Sequence, residues 1–211
     1  MIERKLYFAR SGNSLRAAIA VELGRIDAER HELDLAAGDH KRPVFLAINP
    51  VGAVPALIER DTVSGVELRL SQSGAILDHI LRRDRPELIP VESNACALDH
   101  ASVCAALSDI AVQNGLMKYM DFNAENVEFL QGRLLNSIAA CFEPVKAADF
   151  LGGTSPMRAD FAHFPVVFMR EAWLRSLPDF AHVVAWLERM RHVEEVSRAI
   201  AYAGRQVPHS G

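Results

Sequence analysis

Cysteine is scarce and poorly arranged for chemistry. Among 211 residues there are three, Cys96, Cys104 and Cys141, with no Cys-x-x-Cys pair and no metal-like spacing. This counts against a dithiol redox centre, and no bound metal is expected. The helical, apolar surroundings of the three predict inert thiols. An excess of one charge is also missing. With 23 basic and 27 acidic residues there is no polybasic field, so neither nucleic acid nor an anionic membrane is an expected partner. Apolar runs fall short of a membrane span. Met1-Ile2-Glu3-Arg4-Lys5 enters a strand-like run with no leader pattern, which sets cytoplasmic location as the expectation. Internal repeats and low-complexity segments are absent. What remains is an ordinary globular composition, half apolar and a quarter charged, long enough for one large domain or two small ones.

The pattern changes once along the chain. Lys5 to Ala9 reads as a strand, Arg10-Ser11-Gly12-Asn13 as a turn, and Ser14 to Leu23 as a helix ended by Gly24. His31 to Leu35 reads as a second strand. Gly38-Asp39-His40-Lys41-Arg42-Pro43 is a charged loop entering a short helix through Phe45 and Ile48. Pro55 to Glu59 and Val66 to Leu70 form a hairpin around Asp61-Thr62-Val63-Ser64-Gly65, and Ile76, Leu77, Ile80 and Leu81 form a helical stripe. The order is βαβ, a connecting helix, then ββα. A charged stretch with two prolines, Arg82 to Pro90, reads as a linker. Beyond it only helical periods remain, as in Val127, Leu130, Leu134, Ile138 and Phe142. The tail from Gly204 to Gly211 reads as frayed.

Two local motifs carry chemistry. In Asn49-Pro50-Val51-Gly52-Ala53-Val54-Pro55-Ala56-Leu57 a proline stands at the mouth of an apolar strand, where its missing N–H would spoil the ladder. A cis Val54-Pro55 bond resolves this and leaves the Val54 backbone free to pair with an extended ligand. In Leu70-Ser71-Gln72-Ser73-Gly74 a polar run opens a helix, whose free N–H groups suit a carboxylate. Together they describe a slot for a small carboxylate-bearing peptide. At the first turn, Ser11 either donates a hydrogen bond to a bound thiolate or caps the helix, as Ser14 also would. Lowering a thiol pKa from about 8.5 by two units needs only about 2.7 kcal/mol. One charge-assisted bond of about 1.5–3 kcal/mol with a helix-dipole contribution of about 0.3–1 kcal/mol is enough.

These motifs, in this order, resemble the glutathione-binding half of the glutathione transferase family, and the likeness extends over nearly the whole chain. The resemblance implies an α/β plus all-α fold: a thioredoxin-like domain over residues 1–83, a linker over 84–92, and a C-terminal helical bundle domain over 93–211. It implies glutathione as cosubstrate, an electrophilic small molecule as second substrate, and a homodimer. Val54 and Pro55 would pair with the cysteinyl unit, and Gln72 and Ser73 would hold the γ-glutamyl carboxylate. Lys41, with His40 second, would meet the glycine carboxylate. Ser11 and Asn13 would face the sulfur.

The class-level signal is mixed. Ser11-Gly12-Asn13-Ser14-Leu15-Arg16 resembles the zeta-class run Ser-Ser-Cys-Ser-x-Arg at Ser11 and Arg16 but lacks its second serine and cysteine. It also resembles the Thr-x-Asn of the bacterial Nu class, which implies disulfide reduction with glutathione. Asn13 takes the place of the beta-class catalytic cysteine, so a mixed disulfide there is excluded. Alternatives to conjugation are thus disulfide reduction, a zeta-like isomerisation, or a binding module without turnover. Asp109 would approach the glutamyl amine, in some members across a dimer interface, or is an exposed helix charge. Asn114, Met117, Phe122 and Trp173 are possible liners of the electrophile pocket. Gly152 to Ala162 resembles the family's Ser/Thr-x-x-Asp box, with Asp160 kept for stability and the hydroxyl replaced by Met157.

Overall fold

A computed structural model of the chain describes residues 1–120 and 122–204. They form two compact units, one built from Met1–Pro86 together with the chain from Glu194, the other from Glu87–Val193. Residues 205–211, read above as a frayed tail, lie outside the described residues.

The first unit is a four-stranded mixed sheet with helices, the thioredoxin-like arrangement. Its strands are β1 (Ile2–Phe8), β2 (Glu29–Glu32), β3 (Ala56–Asp61) and β4 (Glu67–Ser71), in the order β2-β1-β3-β4. β1 runs parallel to β2 and antiparallel to β3, with Leu6 opposite Leu57, and both side chains are fully buried. Helices α1 (Gly12–Leu23), α2 (Pro43–Leu46) and α3 (Ser73–Asp84) complete the segment. β1 begins three residues earlier than its apolar run suggested, because Glu3 and Arg4 pair by backbone with Arg60 and Glu59.

One departure from the sequence reading concerns what covers α1. α1 is buried on every side, from Ser14 through Leu23, so it carries no clean apolar stripe. The helix α10 (Glu194–Ala203) packs on it, presenting Val196, Ala199 and Ala203. The reading over 93–211 assigned this helix to the second domain; in the structure it covers the first. Gly24 ends α1 as read, at φ −73, and the left-handed residue is Arg25 at φ 49. Glycine is needed there for proximity, since a Cβ would stand 2.7 Å from Ile80 Cγ2 of α3.

The second unit holds α4 (Ser93–Ala105), a π turn over Ala106–Ile110, α5 (Ala111–Tyr119), α6 (Ala124–Phe142), α7 (Arg158–Phe168), α8 (Glu171–Arg175) and α9 (Ala181–Arg191). Its core centres on Trp186, fully buried edge-to-face against Phe142 at 4.7 Å. Asp160, also fully buried, accepts from the backbone N–H groups of Leu151, Gly152 and Met157 and from the Trp186 indole. Asp160 therefore caps α7 from inside, returning a bond to the Met157 N–H, while the Met157 side chain offers no oxygen in exchange. The continuous helical stretch Ser93–Met117 is long and apolar enough to cross a membrane, contrary to the reading of the apolar runs. Asp99 within it is paired with the buried guanidinium of Arg158 at 2.7 Å and accepts from the Ala159 N–H, which ties this helix into the bundle.

Candidate functional site

Three loops of the first unit meet where β1 and β4 lead into α1 and α3 and where β3 begins, Ala56 pairing with both Tyr7 and Ser71. The turn after β1 ends in Ser11, the N-cap of α1, whose Oγ accepts from the Ser14 N–H at 3.3 Å and bonds to Ser14 Oγ at 3.1 Å. Ser14 Oγ in turn accepts from the Ala9 N–H. Ser11 is thus the cap, and Ser14 carries the hydroxyl relay on to the end of β1 instead. Ser11 stays half-buried, Ser14 is fully buried, and Asn13 is exposed.

The loop before β3 contains the cis Val54-Pro55 bond. Among the described residues neither backbone group of Val54 takes part in a hydrogen bond, and the β3 ladder starts at Ala56. Asn49, nearly buried, braces this loop by donating to the Ala53 carbonyl at 2.6 Å and accepting from the Val51 N–H. Lys41 braces it from the other side, with Nζ donating to the Gly52 carbonyl at 2.8 Å and the Val51 carbonyl at 3.3 Å. An ammonium has three N–H donors, so one remains for a ligand. Gly52 has φ 62, and a Cβ there would stand 2.9 Å from the His40 carbonyl, so a side chain would force a shift. His40 is half-buried, and its Nδ1 is enclosed without a hydrogen-bond partner.

The third loop is the entry to α3. Gln72 occupies its N-cap position at φ 72 and ψ 115, and its side chain makes no capping bond. A non-glycine residue there is strained by about 1–3 kcal/mol, and such strain concentrates at ligand-binding positions. The first N–H groups of α3 consequently point out of the helix end with no side-chain cap, beside the buried hydroxyl of Ser73.

Beneath these loops lies a residue that the sequence reading noted only as a motif match. Arg16 is fully buried on α1, donating from one guanidinium nitrogen to Asn13 Oδ1 at 3.1 Å and to Ser73 Oγ at 2.7 Å. Burial pulls its pKa down to about 10, which leaves it charged at neutral pH. A cation amid the apolar run Leu15, Ala17, Ala18 and Ile19 was the available signal. A buried charge there requires a purpose.

Ser11, Asn13, Val54, Pro55, Gln72, Ser73, Lys41 and His40 therefore all belong to one unit and to adjoining loops. Asp109 belongs to the other unit, on the exposed π turn, where it accepts from Ser108 Oγ. Burial, and to a lesser degree the Asp109 charge, push the Cys141 thiol up, consistent with an inert thiol. Asn114, read as a pocket liner, is occupied as a tie within the bundle, donating to the Val166 carbonyl and accepting from Arg170. Met117, Phe122 and Trp173 are half-buried. Among the described residues no group of His, Cys, Asp or Glu is placed to hold a metal ion.

Comparison with known proteins adds to this geometry. The model of the glutathione S-transferase N-terminal domain matches residues 3–82, and that of the glutathione S-transferase C-terminal domain matches residues 95–194. Glutathione S-transferase 4 of Zea mays is 42% identical over 74 residues, which are 35% of this chain and 30% of the maize protein, so the chain spans less than a third of that relative's length. The disulfide-bond oxidoreductase YfcG of Escherichia coli (strain K12) is 27% identical over 94% of both chains. Among solved structures, a glutathione transferase of Burkholderia graminis, crystallised with two glutathione molecules per subunit, superposes with a TM-score of 0.82 at 22% identity, covering 99% of this chain and 90% of that one.

Proposed function

Because the chain belongs to the glutathione S-transferase family, we propose that it binds glutathione along the three loops and activates its thiol for attack on an electrophilic small molecule. The observation that carries this reading is the α3 entry. A strained Gln72, an uncapped helix N-terminus and a buried Ser73 hydroxyl converge on one point beside the unpaired backbone of Val54. That is a seat for the γ-glutamyl carboxylate next to an edge for the cysteinyl amide. The glycine carboxylate then reaches the free donor of Lys41, with His40 alongside. The sulfur faces Ser11 and Asn13 at the start of α1.

In this reading the thiol loses its proton to solvent, and the thiolate is held by the Ser11 hydroxyl, the Asn13 amide and the positive end of α1. The sulfur lone pair forms the new bond to the electrophilic carbon, and the leaving group departs with its electron pair. The protein supplies orientation and thiolate fraction, while the nucleophile belongs to the cosubstrate. The active form is a cytoplasmic homodimer in which Asp109 meets the glutamyl amine. Support for a second copy comes from the exposed apolar side chains Leu98 and Val112 on the sparsely buried stretch Ser93–Met117.

Disulfide reduction is the second reading, favoured by the exposed Asn13 and by the likeness to the E. coli oxidoreductase over 94% of the chain. Calorimetric titration with glutathione tests the site itself, with Ser73→Ala expected to weaken binding about tenfold or more. Saturable binding lost in that variant supports the seat; no heat from the unaltered protein sinks it. Turnover of a chloronitrobenzene against turnover of a mixed disulfide then separates conjugation from reduction. Binding without either activity would indicate a module that only binds.

A further inference from the structure

Arg16 joins two places that the chain keeps 57 residues apart. A guanidinium is a donor at every nitrogen and accepts nothing. Its bond to Asn13 therefore falls on the amide oxygen, which turns the Asn13 NH₂ away from the helix interior. Its bond to Ser73 falls on a hydroxyl lone pair, which frees the Ser73 O–H proton to point elsewhere. Asn13 is exposed while Arg16 is fully buried, so the freed amide donors face the side from which a ligand arrives.

We propose that Arg16 is a positioning residue that sets the hydrogen-bond polarity of the glutathione pocket, occupying the acceptor side of Asn13 and Ser73 so that only donors meet the thiolate and the γ-glutamyl carboxylate. The inference rests on the reading of the site given above. Its electrostatics point the same way. Arg16 lies in the second turn of α1 and reaches the first residue of α3. It adds positive charge where two helix macrodipoles are already positive. The placement becomes favourable once an anion sits between the two helix ends. The burial that lowers its pKa leaves it charged at neutral pH.

The test compares the unaltered protein with Arg16→Lys, Arg16→Met and Asn13→Asp. Affinity for glutathione and for S-methylglutathione is read by calorimetry. The pKa of the bound thiol is read by ultraviolet titration, and folding is read by thermal melting. Arg16→Met is expected to raise the bound thiol pKa by a unit or more and to weaken S-methylglutathione about tenfold, because Asn13 and Ser73 are then free to present acceptors. Arg16→Lys, with a cation but no fork, is expected to fall between the two. Asn13→Asp keeps an oxygen toward Arg16 but has no NH₂, so the thiol pKa should rise while S-methylglutathione affinity stays within about threefold. A folded Arg16→Met protein with unchanged thiol pKa and affinity overturns the proposal. Should that variant not fold, an unchanged thiol pKa in Asn13→Asp overturns it equally. If the unaltered protein binds no glutathione, the reading of the site fails first, and the two failures are thereby told apart.

Discussion

Trp186 donates its indole N–H to Asp160 Oδ1 at 2.8 Å inside the helical unit. The same carboxylate takes three backbone N–H groups, from Leu151, Gly152 and Met157. Four donors converge on one buried anion. Burial pushes its pKa up, and the four hydrogen bonds oppose that. Asp160→Ala leaves all four donors unsatisfied, and we expect a loss of about 3–5 kcal/mol in urea unfolding. Trp186→Phe removes one donor and some packing, with an expected cost of about 1–3 kcal/mol. Equal and small effects from both would mean that the carboxylate does not anchor this core.

Glu59 is the corresponding anchor of the first unit. It is 8% exposed and contacts Arg4, His79 and Arg83, each at 2.8 Å. Burial alone would raise its pKa, but hydrogen bonds from Arg83, His79 and Arg4 outweigh this and bring it down to about 2. A carboxylate held below its unfolded value adds stability that is complete above about pH 4.5 and is lost as pH falls toward 2. We expect Glu59→Gln to cost about 2 kcal/mol at neutral pH, allowing for solvent screening of the half-exposed partners. It should also flatten the acid limb of a stability-against-pH curve. Parallel curves for the two proteins below about pH 4.5 would remove Glu59 from this role.

Much of this was legible locally. Pro55 at a strand mouth and Gln72-Ser73 before an apolar helical stripe announce their conformations within a few residues, because proline chemistry and helix ends are short-range effects. What was not legible depended on partners far along the chain. Gly24 ends α1 as its sequence suggests, but the need for glycine there shows only once Ile80 is seen against it. Arg16 looks like a motif remnant until Ser73 is within reach. Lys41 was read as a ligand contact, yet most of its donors hold the carbonyls of residues 51 and 52. Asn114 fitted a pocket by type, while Arg170 and Val166 claim both ends of its amide.

Ser11 caps α1 and in the proposed function also donates to the bound thiolate, so its removal should be readable twice. As an N-cap its loss is expected to lower stability by about 1 kcal/mol. As a thiolate donor its loss is expected to raise the bound thiol pKa by a unit or more while glutathione affinity changes little. Chemical unfolding reports the first and ultraviolet titration the second. A stability loss with an unmoved thiol would shift the role to Asn13 and the helix N–H groups.

Gly52→Ala probes the loop under the glycine end of the proposed ligand. The new methyl group must occupy φ 62 and press on the His40 carbonyl, Leu46 and Lys41 Nζ. We expect a stability loss of about 1–3 kcal/mol and weaker glutathione binding, because Lys41 is displaced from its carbonyls. Calorimetry with glutathione and with γ-glutamylcysteine, which lacks the glycine, separates the two effects. An identical loss for both ligands would disconnect Lys41 from the glycine carboxylate.

The covering of α1 by α10 has a consequence for how the molecule is made. In chain order the helix that packs on α1, reaching the Ala18 carbonyl through Tyr202 and Glu22 through Arg198, follows the whole helical unit. The sheet layer of residues 1–86 therefore gains this cover only after residues 87–193 have been made.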